Sequence, residues 1–326
     1  KVIDFIQEER SSSSRHNRAS LRREGRKVGV VTRTKDRPIL LNRALESVGH
    51  QTYRNLQWII VNDGGDPEPV QEIAARAKAR NIDVKVLHNP ESLGMEAASN
   101  RGVAATDAEL LVIHDDDDRW HKDFLLYTTS FLEKNPSYEG VVTQSMRVDE
   151  ILENGRIRHV RSYPYNPGLR SIYLVDIAQV NKFPPISFLF TRKAYEVIGG
   201  FDEDLPVLGD WDFNLRFLEK FDIGVIPKPL AFYHHRVSIR DDGKQHYGNT
   251  VIHGVDDHVK YDALVRNKLL RQDLKEGRIG LGWLVTHGRT AQMAQNKLNQ
   301  LYKNIELAKK LTQKFPFFDL VKRWIT

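Results

Sequence analysis

Leu110-Leu111-Val112-Ile113-His114-Asp115-Asp116-Asp117-Asp118 is the stretch on which the reading of this chain turns. An apolar run the length of a short buried strand ends in four consecutive carboxylates. Such a tip repels itself unless a cation or strong hydrogen-bond donors neutralise it. Hard divalent ions such as Mg²⁺ and Mn²⁺ take oxygen ligands and keep phosphate oxygens as partners. An acidic strand tip therefore points to a metal bridging the protein to a phosphorylated substrate. A solvated acidic turn is the competing explanation.

On the N-terminal side of this strand, short apolar runs alternate with helical patterns. The series is Val28-Gly29-Val30-Val31, Pro38 to Val48, Trp58-Ile59-Ile60-Val61, Val70 to Ala79, Val84-Lys85-Val86-Leu87 and Glu96 to Ala105. That alternation predicts β-α-β units around a parallel sheet. In such sheets ligands lie beyond the carboxyl ends of the strands. Asp63 follows the second run and Asp115 the fourth, so two acidic strand tips are expected to share one crevice. The stretch before Val28 carries Ser11-Ser12-Ser13-Ser14 among scattered arginines without an apolar period, which marks residues 1–27 as a basic arm or linker.

A chain of 326 residues with 40% hydrophobic content can bury a full core. It has no cysteine, which excludes disulfides and thiolate metal sites and favours a reducing, cytoplasmic compartment. No apolar run reaches the roughly 20 residues that span a bilayer. Because the first residue is Lys1, further domains outside this sequence are allowed for. The net charge of +6 is uneven: residues 1–27 carry +4 and residues 257–326 carry +8, leaving −6 for the middle. Basic ends are compatible with an anionic membrane surface, but no RNA-binding signature, zinc-finger spacing or basic-aromatic interleaving is present, so nucleic acid is not expected as a partner.

Several motifs fall in one order along the chain: Gln51-Thr52-Tyr53, Val61-Asn62-Asp63-Gly64-Gly65, Leu93 to Asn100, Asp115 to Trp120, Phe188 to Arg192, Gly199-Gly200-Phe201-Asp202 and Gly209-Asp210-Trp211-Asp212-Phe213-Asn214-Leu215-Arg216. Together they resemble the successive signatures of family 2 glycosyltransferases over about two-thirds of the chain, from Val28 to Val237. Collinearity is what makes the resemblance specific, since each motif alone is weak. It implies an α/β domain of the GT-A fold over residues 28–240. Such a domain is Rossmann-like, with a mostly parallel central sheet flanked by helices. A C-terminal helical extension is expected over residues 241–326.

The resemblance also implies roles. A nucleotide-diphosphate sugar is the donor, and a divalent cation, Mn²⁺ or Mg²⁺, neutralises the departing diphosphate. Asp115 and Asp117 are the ends of an Asp-x-Asp motif, with Asp117 the first choice for metal contact, Asp115 reaching the ribose or metal, and Asp116 and Asp118 more peripheral. Asp63 matches an aspartate that reads the nucleobase, although an Asp-Gly turn explains the same composition. Thr32 and Arg33 are expected near base or ribose, and Arg33, Lys35 and Arg37 near the diphosphate. Asn100 belongs to the same donor-side set. Asp210 is the expected general base of an inverting transfer, at a helix start where the dipole favours its ionised form. The residue before it is Gly209 where the family pattern has Glu. One of His234 and His235 is expected in the site, with His235 favoured as a metal ligand, because neighbours on a strand face opposite ways. Gly199 and Gly200 are read as an acceptor-side loop or a helix C-cap, Trp211 as a stacking face or a core residue, and Tyr163 to Gly168 as an acceptor loop.

In the tail, Ala291, Ala294, Leu298, Leu301, Ile305 and Ala308 recur at steps of three and four, the seam of an antiparallel helix pair or short coiled coil. Packing on the catalytic domain and oligomerisation both account for it. The segment Phe317 to Ile325, with Lys322 and Arg323, suits a membrane surface. The expectation is an inverting, metal-assisted glycosyltransferase acting on a glycan or lipid-linked glycan, peripheral to the inner face of a membrane. A carbohydrate-binding protein without turnover, prompted by Gly209, and a sugar-phosphate nucleotidyltransferase, disfavoured by the lack of a glycine-rich lysine loop after the first strand, are the alternatives.

Overall fold

The computed structural model describes residues 25–240, 243, 245–249 and 255–314, with the backbone alone for residues 255 and 308–314. Most of the basic arm and the segment Phe317 to Ile325 lie outside the described residues. The chain divides into two compact units, residues 1–261 and 262–326.

The first unit opens with the expected alternation: β1 (Val28–Thr34), α1 (Pro38–Gly49), β2 (Leu56–Asp63), α2 (Pro67–Ala79), β3 (Asp83–Asn89), α3 (Met95–Ala104) and β4 (Leu110–Ile113). Pro38 and Pro67 stand at the helix starts, where a missing N–H costs nothing. Asp66 caps α2 by accepting from the Glu68 backbone N–H at 3.0 Å. The chain continues through β5 (Arg119–Trp120), α4 (Phe124–Lys134), β6 (Gly140–Glu153), β7 (Arg156–Pro164), α5 (Leu174–Gln179), β8 (Phe188–Thr191), α6 (Arg192–Ile198), α7 (Gly209–Lys220) and β9 (Ile223–Ile239).

One nine-stranded sheet runs in the order β3-β2-β1-β4-β8-β6-β9-β5, with β7 paired to β6. Its N-terminal half, β3-β2-β1-β4, is parallel as read from the sequence. The other half is mixed: β8 is antiparallel to both β4 and β6, β5 is antiparallel to β9, and β6 and β9 are parallel. Trp58, Leu41, Leu45, Ile60, Val112 and Leu189 belong to the main buried cluster that holds helices to the sheet. Because β2 and β3 extend to one side of β1 while β4 lies on the other, the strand order reverses between β1 and β4. That reversal opens a crevice at their carboxyl ends.

The described residues of the second unit are mostly helical. Helix α8 (Val255–Lys275), whose first residues belong to the first unit, is followed by a turn at Gly277, whose φ is 70°, and by α9 (Leu281–Lys314). Along α9 the seam residues Leu298, Leu301 and Ile305 are exposed.

Candidate active site

The crevice is built by register. Val31 pairs with Ile113, and the same offset of 82 continues beyond the ladder, bringing Arg33 beside Asp115 and Thr34 beside Asp116. Arg33 Nε donates to Asp115 Oδ1 at 3.0 Å. Thr34 Oγ1 and Arg37 Nη2 donate to Asp116 at 2.7 and 2.6 Å. Asp117 accepts from Arg236, which β9 carries, and from Asn249. Asp118 accepts from the His234 backbone N–H at 2.7 Å. The acidic tip thus meets a set of arginines and directed donors, as its charge requires.

Each carboxylate answers to its own surroundings. Burial pushes Asp116 up to about 6 against the pull of Arg37. Burial likewise raises Asp118 well above the ordinary range, with Asp117 adding to it. For Asp117 burial is outweighed by Arg236 and Arg37, which hold its carboxyl well below that range. Asp115 lines both pockets described at this crevice, and its side chain is 25% exposed.

Two adjoining pockets share Arg33, Met95 and Asp115. The larger, about 240 Å³, is lined by Thr34, Lys35, Arg37, Asp63, Ser92 and His246 among others. Asp63 accepts from Asn89 Nδ2 (2.6 Å), Ser92 Oγ (2.7 Å), Leu93 N (2.9 Å) and Gly94 N (3.1 Å). Burial opposes its ionisation, but these bonds outweigh it and lower its pKa. Four donors fill the acceptor sites of one carboxylate; here Asp63 shapes the pocket wall by holding the loop that starts α3.

The smaller pocket, about 110 Å³, holds Asp210 with Glu96, Asp115, Phe201, Leu208 and Tyr233. An aromatic cluster fixes α7: Phe213 stacks on Phe201 with centroids 4.4 Å apart, and Phe217 packs edge-on to Phe188 at 5.2 Å. Leu208, just before the helix, has a φ of 65°, a left-handed conformation disfavoured for a leucine. Asp210 Oδ1 accepts from Trp211 N at 2.8 Å and Oδ2 from Asn181 Nδ2 at 2.7 Å. Burial raises its pKa; the Trp211 N–H and Arg33 oppose this. Asp212 is turned away, to Arg216 at 2.8 Å.

Several residues picked from the sequence stand elsewhere. Strand β1 runs three residues beyond Val31, so Thr32 faces the core, where its Oγ1 accepts from Trp58 Nε1 at 2.8 Å; Thr34 is the threonine at the crevice. Asn100 has its amide engaged on the loop after α6, donating to Phe201 O and Glu203 Oε1 and accepting from Tyr195 OH and Phe201 N. It ties elements together and does not line the donor side. Gly199, with φ 88°, is the C-cap of α6, and Gly200, with φ 75°, lies where a Cβ would meet Tyr195 and Asn100. The pair ends a helix and delivers Phe201 to the crevice. Trp211 is 3% exposed and donates to Ile177 O, a core residue with no face for a sugar.

Residues Tyr233 to Arg236 lie within β9 and alternate. His234 Nδ1 meets Glu150 at 2.7 Å on one face, and burial, with Arg43 adding, lowers its pKa to about 3. His235 is on the other face, 4.2 Å from the Tyr233 ring, with both ring nitrogens lacking a hydrogen-bond partner; burial and Arg147 lower it to about 4. Among the described residues no three His, Asp or Glu side chains come together as a metal-holding group. The set Asp115, Asp117 and His235 is therefore not assembled, and Asp117, the expected principal ligand, is held by Arg236. A hard ion that keeps waters and phosphate oxygens needs only one or two carboxylates, and the oxygen donors at this tip suit such an ion.

Sequence reading missed Glu96, Thr34, Asn249 and Tyr233. Only Thr34 had a signal, the parity of a strand that runs to its true end.

A family model described as glycosyl transferase family 2 matches residues 29–199. The uncharacterized glycosyltransferase YwdF of Bacillus subtilis (strain 168) is 26% identical over 210 residues, covering 64% of this chain and 74% of that protein. The amylovoran biosynthesis glycosyltransferase AmsB of Erwinia amylovora is 25% identical over 213 residues, 64% of this chain and 68% of that one. Among solved structures, S. aureus TarS 1-349 superposes with a TM-score of 0.53 at 16% identity, over 64% of this chain and 60% of that chain. The superposition thus spans less than two-thirds of that TarS chain, and it shows the shared fold. With a family match that spans more than half its length, the chain belongs to glycosyl transferase family 2 and is a glycosyltransferase of the GT-A fold.

Proposed function

We propose that this glycosyltransferase moves a sugar from a nucleotide-diphosphate sugar to a hydroxyl of a glycan or lipid-linked glycan, with inversion at the anomeric carbon. The observation that carries the reading is the pocket where Asp115 and Asp210 line one space beside Arg33. The donor lies in the larger pocket, where Arg33, Lys35 and Arg37 give a diphosphate three basic partners. TarS has been solved with UDP and with UDP-GlcNAc, which supports a nucleotide sugar as the ligand class.

Asp210 takes the proton of the acceptor hydroxyl as its oxygen bonds to the anomeric carbon, on the face opposite the departing nucleoside diphosphate. Burial raises its pKa, which makes its ionised form a better proton acceptor. Asp115 is the residue that would hold a divalent cation, which would supply charge neutralisation on the departing diphosphate, while Asp117 stays engaged with Arg236 and Asn249. The basic C-terminal helices bring the enzyme to the cytoplasmic face of a membrane; among the described residues no helix is long and apolar enough to cross one.

The test is release of nucleoside diphosphate from a panel of UDP-, GDP- and dTDP-sugars in the presence of Mn²⁺. Asp210→Asn is expected to slow turnover by about 100- to 10,000-fold, the usual worth of a general base, while nucleoside diphosphate binds as in the wild type. Full activity in that variant contradicts the assignment.

A further inference from the structure

Gly209, the first residue of α7, precedes the proposed base. Its backbone is not left-handed, so conformation does not demand glycine there. Space does. A Cβ at 209 would lie 2.3 Å from both Cδ and Oε1 of Glu96 and 2.6 Å from its Cγ, closer than any real contact. The carboxyl that α7 lacks is thus filled in by another element, because Glu96 reaches across from the first turn of α3.

Glu96 does not behave as a structural acid. It is 5% exposed, yet its one ionic partner among the described residues is Arg33, whose Nη1 is 3.6 Å from Oε2, and it accepts no hydrogen bond there. A buried carboxyl kept for stability is normally hydrogen-bonded. This one lines the same pocket as Asp210 and Asp115, with acceptor capacity left for a ligand.

We propose that Glu96 is the second carboxyl of the transfer site, supplied by α3 through the gap left by Gly209, where it binds the acceptor sugar and sets its hydroxyl against Asp210. This rests on the glycosyltransfer reading above. It makes Glu96 an acceptor-binding residue for which 209 and 96 are interchangeable addresses in space.

The experiment uses the full chain as wild type, Glu96→Gln, Glu96→Ala, Gly209→Glu and the double variant Glu96→Ala/Gly209→Glu. The nucleotide sugar that the wild type turns over fastest with Mn²⁺ is the donor. Simple p-nitrophenyl glycosides are the acceptors, water is the competing acceptor, and UDP or GDP binding is followed by calorimetry. Glu96→Gln and Glu96→Ala are expected to lower transfer to glycoside by about 10- to 100-fold, the range for losing a hydrogen bond to a charged group. Hydrolysis by water and nucleotide binding should change far less, a split that a merely structural role does not produce. Gly209→Glu alone should be inactive and unfold at a lower temperature, and the double variant should regain at least about tenfold over Glu96→Ala, since the carboxylate is restored to its place. An unchanged ratio of transfer to hydrolysis in Glu96→Gln overturns the proposal whether or not the double variant folds. A double variant as stable as the wild type but no better than Glu96→Ala overturns it too. A wild type that turns over no donor sinks the glycosyltransfer reading itself and this inference with it.

Discussion

Glu96 also makes a prediction about stability. Burial pushes its carboxyl up to about 7; Arg33 on β1 opposes this, while Asp210, Asp115 and Asp212 add to it. A carboxyl with a raised folded-state pKa is favoured in its neutral form. The stability it contributes is therefore fully present below the ordinary value of 4.5 and is lost as pH rises through about 7. Urea unfolding at pH 5 and pH 8 should show the wild type losing up to about 3 kcal/mol more than Glu96→Gln over that interval. Identical pH dependence in the two proteins contradicts the environment described for this side chain. No spacing rule pointed to Glu96, because it reads as an ordinary acidic residue in a first helical turn and meets α7 only in three dimensions. Thr32 failed for a different reason. Placing Thr32 and Arg33 at the end of the first strand stopped the alternation one residue short, and a strand that continues to Thr34 turns Thr32 to Trp58 and Thr34 to Asp116.

Helix α3 is held against the sheet by an approach that only glycine allows. A Cβ at Gly102 would lie 2.3 Å from Val31 Cγ1 and 3.2 Å from Val61 Cγ2, both on stiff, buried β-branched side chains. Gly102→Ala would gain about 1 kcal/mol of helix propensity, but overpacking costs about 1–3 kcal/mol, so the variant should be less stable. It should also displace Glu96 and the loop held by Asp63, raising the acceptor KM. Denaturation midpoints and kinetics of the purified variant check both; a more stable enzyme with unchanged kinetics means the helix does not sit this close. The parallel half of the sheet was legible because its strands are near-continuous apolar runs separated by clear helices. The mixed half was not. Strands β6 and β9 pair across a long sequence separation through several register shifts, and β7 is largely exposed, so neither pattern nor spacing announces them.

Across the whole molecule, charge is segregated, with an acidic middle between a +4 arm and a +8 tail. If the tail brings the enzyme to a membrane, cosedimentation with vesicles containing anionic lipid should fall as salt shortens the range of the attraction, and a chain ending at residue 280 should lose it while retaining donor hydrolysis. Binding that ignores salt and lipid charge points to another origin. The central claim concerns the sheet's reversal point: β4 delivers the acidic tip, β1 its arginine, and α7 sets Asp210 against the same space from the opposite side of the chain's fold. If Asp210 acts as the proposed base, displacement takes place in one step from the face opposite the leaving group. Proton NMR of the transfer product, taken before any anomerisation, tests this most directly. An α-linked nucleotide sugar should give a β-glycoside, and an α-glycoside would contradict the account.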